Sequence, residues 1–179
     1  MRGRKTDGDD ERLPVISIVG LGPMGVRIGH ALQAVKTRYT LLGHDVDAAR
    51  VRAALGAGAV DRGTWSLAEA AAEADLLFLC EPVDAVCATL AQVAPHVRPG
   101  TLITDTAPLK APVLAAAAQW VSEGVAFIGG HPIVRWPTDG DARPDADART
   151  PAVGDGGGSV AAPPAPDAGS AAAVARSPA

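Results

Sequence analysis

The run Val15-Ile16-Ser17-Ile18-Val19 is almost wholly apolar and breaks into Gly20-Leu21-Gly22-Pro23-Met24-Gly25, after which the apolar period becomes helical. Met24, Ile28, Ala31, Leu32 and Val35 recur at that spacing, and Lys36 and Arg38 follow where positive charge suits a helix C-terminus. Thr40-Leu41-Leu42-Gly43-His44 reads as a second strand, closed by Asp45. Asp47 can cap a helix from Ala48 to Leu55 with Val51, Ala54 and Leu55 facing inward, and Gly56 and Gly58 end it. Gly58-Ala59-Val60 is too short to assign. Ser66-Leu67-Ala68-Glu69 is a capping-box pattern opening a helix that runs to Ala74. Leu76-Leu77-Phe78-Leu79-Cys80 is a continuous apolar run, as expected of a strand covered on both faces, and Glu81-Pro82 stops it. Val83, Val86, Cys87, Leu90 and Val93 make the next amphipathic helix, and Pro99-Gly100 turns the chain into Thr101-Leu102-Ile103-Thr104. A helix from about Pro108 to Ser122 follows, with Val113, Leu114, Ala117, Trp120 and Val121 inward, and Val125-Ala126-Phe127-Ile128 is the last strand. Strands alternating with helices of this length predict an α/β fold with a doubly wound parallel sheet.

At 179 residues the chain has room for one ordinary domain, or one domain and a tail. With 47% apolar and 20% charged residues, a soluble globular core is expected. A net charge of −4 and the lack of any basic run leave no footprint for nucleic acid. Residues 1–12 are charged and polar without an apolar core to the segment, and no run approaches the length of a bilayer span, so the expectation is a cytoplasmic protein with no membrane partner. Cys80 and Cys87 match neither a redox pair nor a metal ligand set and read as reduced core thiols, with no metal expected.

Past Trp136 the character changes. Residues 137–179 are drawn only from Ala, Pro, Gly, Asp, Arg, Ser, Thr and Val. Such a segment buries too little apolar surface to offset chain entropy, and disorder is expected. Those eight residues are also the ones GC-rich codons favour, so the tail reads equally as a natural linker, a truncation or an out-of-frame translation. The expected plan is a disordered segment over 1–12, a folded domain over 13–134 and a low-complexity tail over 137–179.

Chemistry enters with the glycines. Gly20 permits a tight turn out of the first strand, Gly22 leaves room for a pyrophosphate, and Gly25 lets the helix pack against the sheet; Leu21, Pro23 and Met24 complete the loop. Free N–H groups at the helix N-terminus then face the phosphates. Asp45, at the end of the second strand, can accept the adenosine ribose hydroxyls and repels a 2′-phosphate, which favours NAD over NADP. Its alternative reading is a turn or N-cap aspartate, and Arg50 and Arg52 keep NADP open. Together these features predict a Rossmann dinucleotide-binding fold.

Four stretches give the chain a resemblance to the nucleotide-binding half of the prephenate and arogenate dehydrogenases: Gly20 to Gly25; Gly43-His44-Asp45; Asp105-Thr106-Ala107-Pro108-Leu109-Lys110, resembling D-x-x-S-x-K; and Gly129-Gly130-His131-Pro132, resembling G-G-H-P. The resemblance covers about residues 13–134. It implies an oxidoreductase of tyrosine biosynthesis, in which a hydroxyl carbon yields hydride to the nicotinamide, a carboxylate leaves as carbon dioxide and a histidine takes the hydroxyl proton. His131, just past a strand end, is the catalytic candidate. A turn histidine satisfied by backbone is the alternative. His30, His44 and His96 read as surface or helix residues. Glu81 and Pro82 are expected beside the nicotinamide-side ribose, with Asp105 and Thr106 also at the cofactor.

Departures from the pattern bear on function. The serine of the family falls at Pro108, which has neither hydroxyl nor N–H; Thr106 is the nearby hydroxyl. Asp105 and Lys110 are kept, with a strand-end cap and a solvated lysine as the alternative reading. The family's helical domain, which dimerises and supplies cations for substrate carboxylates, has no counterpart here, and Arg135 alone follows the histidine. The leading expectation is a shortened prephenate or arogenate dehydrogenase-type domain, as a homodimer or with a partner chain supplying what is missing. The second is a cofactor-binding module without catalysis. The third is a relative of the β-hydroxyacid dehydrogenases, which share a Gly-Leu-Gly-x-Met-Gly opening; Gly129-Gly130-His131-Pro132 weighs against it.

Overall fold

The computed structural model describes residues 12–133 and the two-residue strand Val174–Ala175. Strands β1 (Val15–Val19), β2 (Thr40–His44), β3 (Arg62–Thr64), β4 (Leu76–Leu79), β5 (Leu102–Asp105) and β6 (Ala126–Ile128) are parallel and lie in the order β3-β2-β1-β4-β5-β6. Helices α1 (Pro23–Ala34), α2 (Ala48–Gly56), α3 (Leu67–Glu73), α4 (Val83–Val93) and α5 (Lys110–Trp120) connect them. The doubly wound α/β sheet is therefore as the alternating pattern predicts. Val174–Ala175 (β7) pairs antiparallel with the outer edge of β6. The other residues of the expected N-terminal segment and tail, 1–11, 134–173 and 176–179, lie outside the described residues, Arg135 among them.

Strand order reverses at β1, which has β2 on one side and β4 on the other. In open α/β sheets that switch point opens a crevice outside the carboxyl ends of the strands. Two apolar clusters fill the space between sheet and helices. Ile18, Leu21, Leu41, Val51, Ala54 and Val60 form one, and Leu77, Leu79, Val86, Leu90, Ile103, Val113 and Phe127 belong to the other. Ser17, buried in β1, donates to the Ala70 carbonyl at 2.8 Å and so fastens α3 to the sheet.

Several helix faces differ from the apolar period. In α1 the buried positions are Gly25 and Gly29, flanked by Val26, Ile28 and Leu32, whereas Ala31 and Val35 are exposed. Glycine is the cause. A Cβ on Gly29 would lie 2.4 Å from the Ala59 carbonyl oxygen, so the helix turns its side-chain-free stripe inward. Leu55 and Trp120, expected inside, are partly exposed. Helix α1 stops at Ala34, and Lys36 pairs with Asp61 instead of completing the last turn. Helix α5 runs from Lys110 to Trp120, shorter than expected at both ends. Strand β3 is Arg62–Thr64, just after the unassigned Gly58–Val60, where Ala59 and Val60 are buried. The capping box at α3 is half formed: Ser66 accepts from the Glu69 N–H at 3.2 Å, while the Glu69 carboxylate takes the Thr64 hydroxyl.

Candidate functional site

The carboxyl ends of β1, β2 and β4 meet at the glycine turn. The Gly20 N–H donates to the His44 carbonyl at 2.9 Å, and the Cys80 N–H donates to Val19 at 2.7 Å, so the turn is sewn to both neighbouring strands. Gly20 has φ +89°, which L side chains rarely adopt, and a Cβ there would lie 2.6 Å from the Cys80 carbonyl oxygen. Gly25 presses α1 against the turn: a Cβ would sit 2.0 Å from the Gly20 carbonyl oxygen. Gly22 differs from both. As the N-cap of α1 it has φ −72° and ψ −172°, open to any residue, and a Cβ would meet nothing within 4 Å. Pro23 opens the helix at a position where no N–H is missed, and no side chain caps it. The α1 N-terminus thus presents its free N–H groups outward beside a position with no internal reason to be glycine.

Asp45 is placed where the spacing predicts, beside this turn, but its carboxylate is nearly closed off, at 4% exposure. Oδ2 accepts the Leu21 N–H at 2.8 Å and Oδ1 accepts the Asp47 N–H at 2.8 Å. The residue therefore holds the glycine turn in shape, as well as forming the turn predicted by its alternative reading. The Arg50 guanidinium lies 3.7 Å from Asp45 and 3.9 Å from Asp47. His44 ends β2 as the strand pattern predicts, but it is buried there and is not the surface or helix histidine that was expected. Its ring Nδ1 is 3.1 Å from the Thr64 carbonyl oxygen, because register places that strand end beside it.

On the other side of the crevice, Glu81 follows β4, and its Cγ lies 2.8 Å from where a Gly20 Cβ would be. Its carboxylate accepts the buried Thr89 hydroxyl at 2.8 Å. Thr89 was not expected in the site; the available signal was a polar residue among the inward positions of α4. Pro82 caps α4 without a side-chain bond. Cys80 is a free thiol that burial pushes up to about 12, against the lowering effect of Thr106 and with the Glu81 and Asp105 carboxylates adding to the rise, so it stays protonated at neutral pH. The Thr106 N–H donates to the Leu79 carbonyl at 3.1 Å, and its hydroxyl is 3.5 Å from the same oxygen, turned to β4. Pro108 is exposed.

At the end of β5, Asp105 is fully buried. It accepts the Ala107 N–H at 2.9 Å, the Gly130 N–H at 3.2 Å and the Lys110 ammonium. Neither a simple strand-end cap nor a solvated lysine describes these two residues. The chain leaves β6 through Gly129 and Gly130, and His131 stands exposed on the same edge of the sheet as the glycine turn. Among the described residues, no cluster of three or more His, Cys, Asp or Glu side chains could hold a metal ion, and no helix is long and apolar enough to cross a membrane.

Comparison with known proteins gives this edge a context. The family profile described as "Prephenate dehydrogenase, nucleotide-binding domain" matches residues 28–142. Cyclohexadienyl dehydrogenase of Zymomonas mobilis is 32% identical over 133 residues, covering 73% of this chain and 43% of that protein. Prephenate dehydrogenase of Bacillus subtilis is 29% identical over 119 residues, covering 66% and 32%. Among solved structures, Synechocystis arogenate dehydrogenase is similar with a TM-score of 0.60 at 30% identity, over 66% of this chain and 40% of that one. Prephenate dehydrogenase from A. aeolicus, in complex with hydroxyphenyl propionate and NAD+, has a TM-score of 0.62 at 23% identity, over 70% and 43%, a likeness of fold. A 3-hydroxyisobutyrate dehydrogenase of Mycobacterium tuberculosis shares that fold with a TM-score of 0.59 at 23% identity, over 66% and 40%. The chain spans less than half the length of the curated relatives it matches.

Proposed function

Because the chain belongs to the prephenate dehydrogenase family through its nucleotide-binding domain, we propose that it binds NAD across the ends of β1, β2 and β4 and forms the cofactor half of a prephenate or arogenate dehydrogenase-type oxidoreductase. Gly22 carries the cofactor reading. Its backbone suits any residue and its side-chain space is empty, so what its missing Cβ serves is the close approach of something from outside. Gly20, Leu21, Pro23, Met24 and Gly25 shape that loop, and the α1 N–H groups supply donors suited to a pyrophosphate. Asp45 favours NAD over NADP, since a buried carboxylate repels a 2′-phosphate, and the nearby Arg50 is engaged with Asp45 and Asp47. Glu81, Pro82 and Thr106 line the nicotinamide side in this reading, whereas Asp105, expected there from the sequence, is fully buried with both carboxylate oxygens engaged and stands behind that surface.

NAD, when bound, accepts a hydride from the substrate. The chain's own part is to orient it and to hold a base: His131, exposed at the sheet edge, carries the imidazole that takes the hydroxyl proton. Pro108 supports a second reading, a binding module without catalysis, because no hydroxyl stands where the family's pattern has serine. In this reading the cations for a dicarboxylate substrate come from outside the described residues. The discriminating assay incubates the full chain with NAD and either prephenate or arogenate and follows NADH. Formation that His131→Asn abolishes supports the dehydrogenase reading. NAD binding with no NADH from either substrate supports the module instead.

A further inference from the structure

Asp105 and Lys110 hold one residue, Gly130, by both of its backbone polar groups. Oδ1 of Asp105 accepts the Gly130 N–H at 3.2 Å, and its Oδ2 pairs with the Lys110 ammonium, which also donates to the Gly130 carbonyl at 2.5 Å. Both polar groups of Gly130 are thereby taken by the two members of a single ion pair. The packing is equally close: a Cβ on Gly130 would lie 2.4 Å from the Asp105 carbonyl oxygen, and one on Gly129 would lie 3.2 Å from Lys110 Cδ. The pair is not needed to dock β6, whose ladder with β5 is complete from Ala126 to Ile128. It acts two residues beyond that ladder, on the residue immediately before His131. A peptide unit is planar, so fixing the Gly130 carbonyl also fixes the direction of the His131 N–H and Cα. Burying a carboxylate is costly unless it is paired and hydrogen-bonded, and here the partners of Asp105 lie in its own strand-end turn, at the first residue of α5 and in this loop.

We propose that the Asp105–Lys110 pair is a positioning device for His131, setting where the imidazole stands by clamping the Gly130 peptide to the end of β5. Its purpose rests on the reading of His131 as a base, but the placement itself does not. The test uses isotope-labelled full chain without ligand, comparing wild type with Lys110→Met and Asp105→Asn. Hydrogen exchange at the Gly130 N–H should speed up by about ten-fold or more, as expected when a bond to a charged group is lost. The His131 ring and amide signals should shift or broaden while those of His30, His44 and His96 stay in place. The double variant Asp105→Asn/Lys110→Met, with no buried charge, keeps the test readable where a single variant fails to fold. Unchanged signals at Gly130 and His131 would overturn the proposal. So would all four histidines moving together, which marks the pair as a fastening of the whole fold. NAD titration of the wild type runs separately: its failure removes the proposed function, while the His131 signals still decide the clamp.

Discussion

Gly22 and Gly25, three residues apart, do different things, and the Cβ each one lacks tells them apart. At Gly25 the missing atom belongs to the fold, because it would overlap the Gly20 carbonyl at 2.0 Å. Gly25→Ala must push α1 off the turn, and a loss of about 1–3 kcal/mol in urea unfolding is expected, as for overpacked cores. An unchanged midpoint would show that the close approach is not there. At Gly22 the missing atom belongs to whatever the protein meets, since nothing internal occupies the space. The sequence pattern names both glycines but cannot rank them; only the space around each does. Asp45 is similar. Its position at the end of β2 was legible, but its two backbone donors, Leu21 and Asp47, were not, because they depend on how the turn folds back over the strand.

Alternating apolar runs and capping residues were enough to place five of the six parallel strands and all five helices of the described residues, and the errors gather where geometry overrides periodicity. Helix α1 buries glycines in place of its apolar stripe, and β3 escaped notice because Arg62-Gly63-Thr64 has no apolar signature; it is an outer strand of the six-strand parallel sheet. Asp61, just before β3, shows how such a polar stretch is held. Burial pushes its carboxyl upward, but the Leu41 N–H, Lys36 and Gln33 outweigh that and bring it below the usual carboxylate value. A carboxyl lowered by folding stabilises the fold above its unfolded pKa of about 3.9, and that contribution fades as pH falls through the folded value. Asp61→Asn should therefore lower Tm at pH 7, with the deficit against wild type shrinking below about pH 4. A deficit equally large in acid would mean the ionised carboxylate is not what holds α1, β2 and β3 together. The Asp105–Lys110 clamp was legible only as two spaced residues, because its third member, Gly130, is reached through a parallel crossover that no local pattern records.

At the scale of the molecule, the strand order places the glycine turn, Asp45, Glu81 and His131 along one edge of the sheet, with the switch point between β1 and β4 at its centre. Leu109 and Ile133 are also exposed. The matched stretch covers 43% and 32% of the Zymomonas mobilis and Bacillus subtilis relatives, as the proposed cofactor half requires. Dinucleotide binding is the claim on which the remainder of the functional account depends. Calorimetric titration of NAD into the full chain, wild type and Gly22→Ala side by side, tests it most directly when each variant's Tm is also recorded. The account predicts saturable binding by wild type, at least about ten-fold weaker binding by Gly22→Ala, and equal Tm values, because the added methyl touches only the ligand's space. Equal affinity in both proteins, or no binding by wild type, would contradict it.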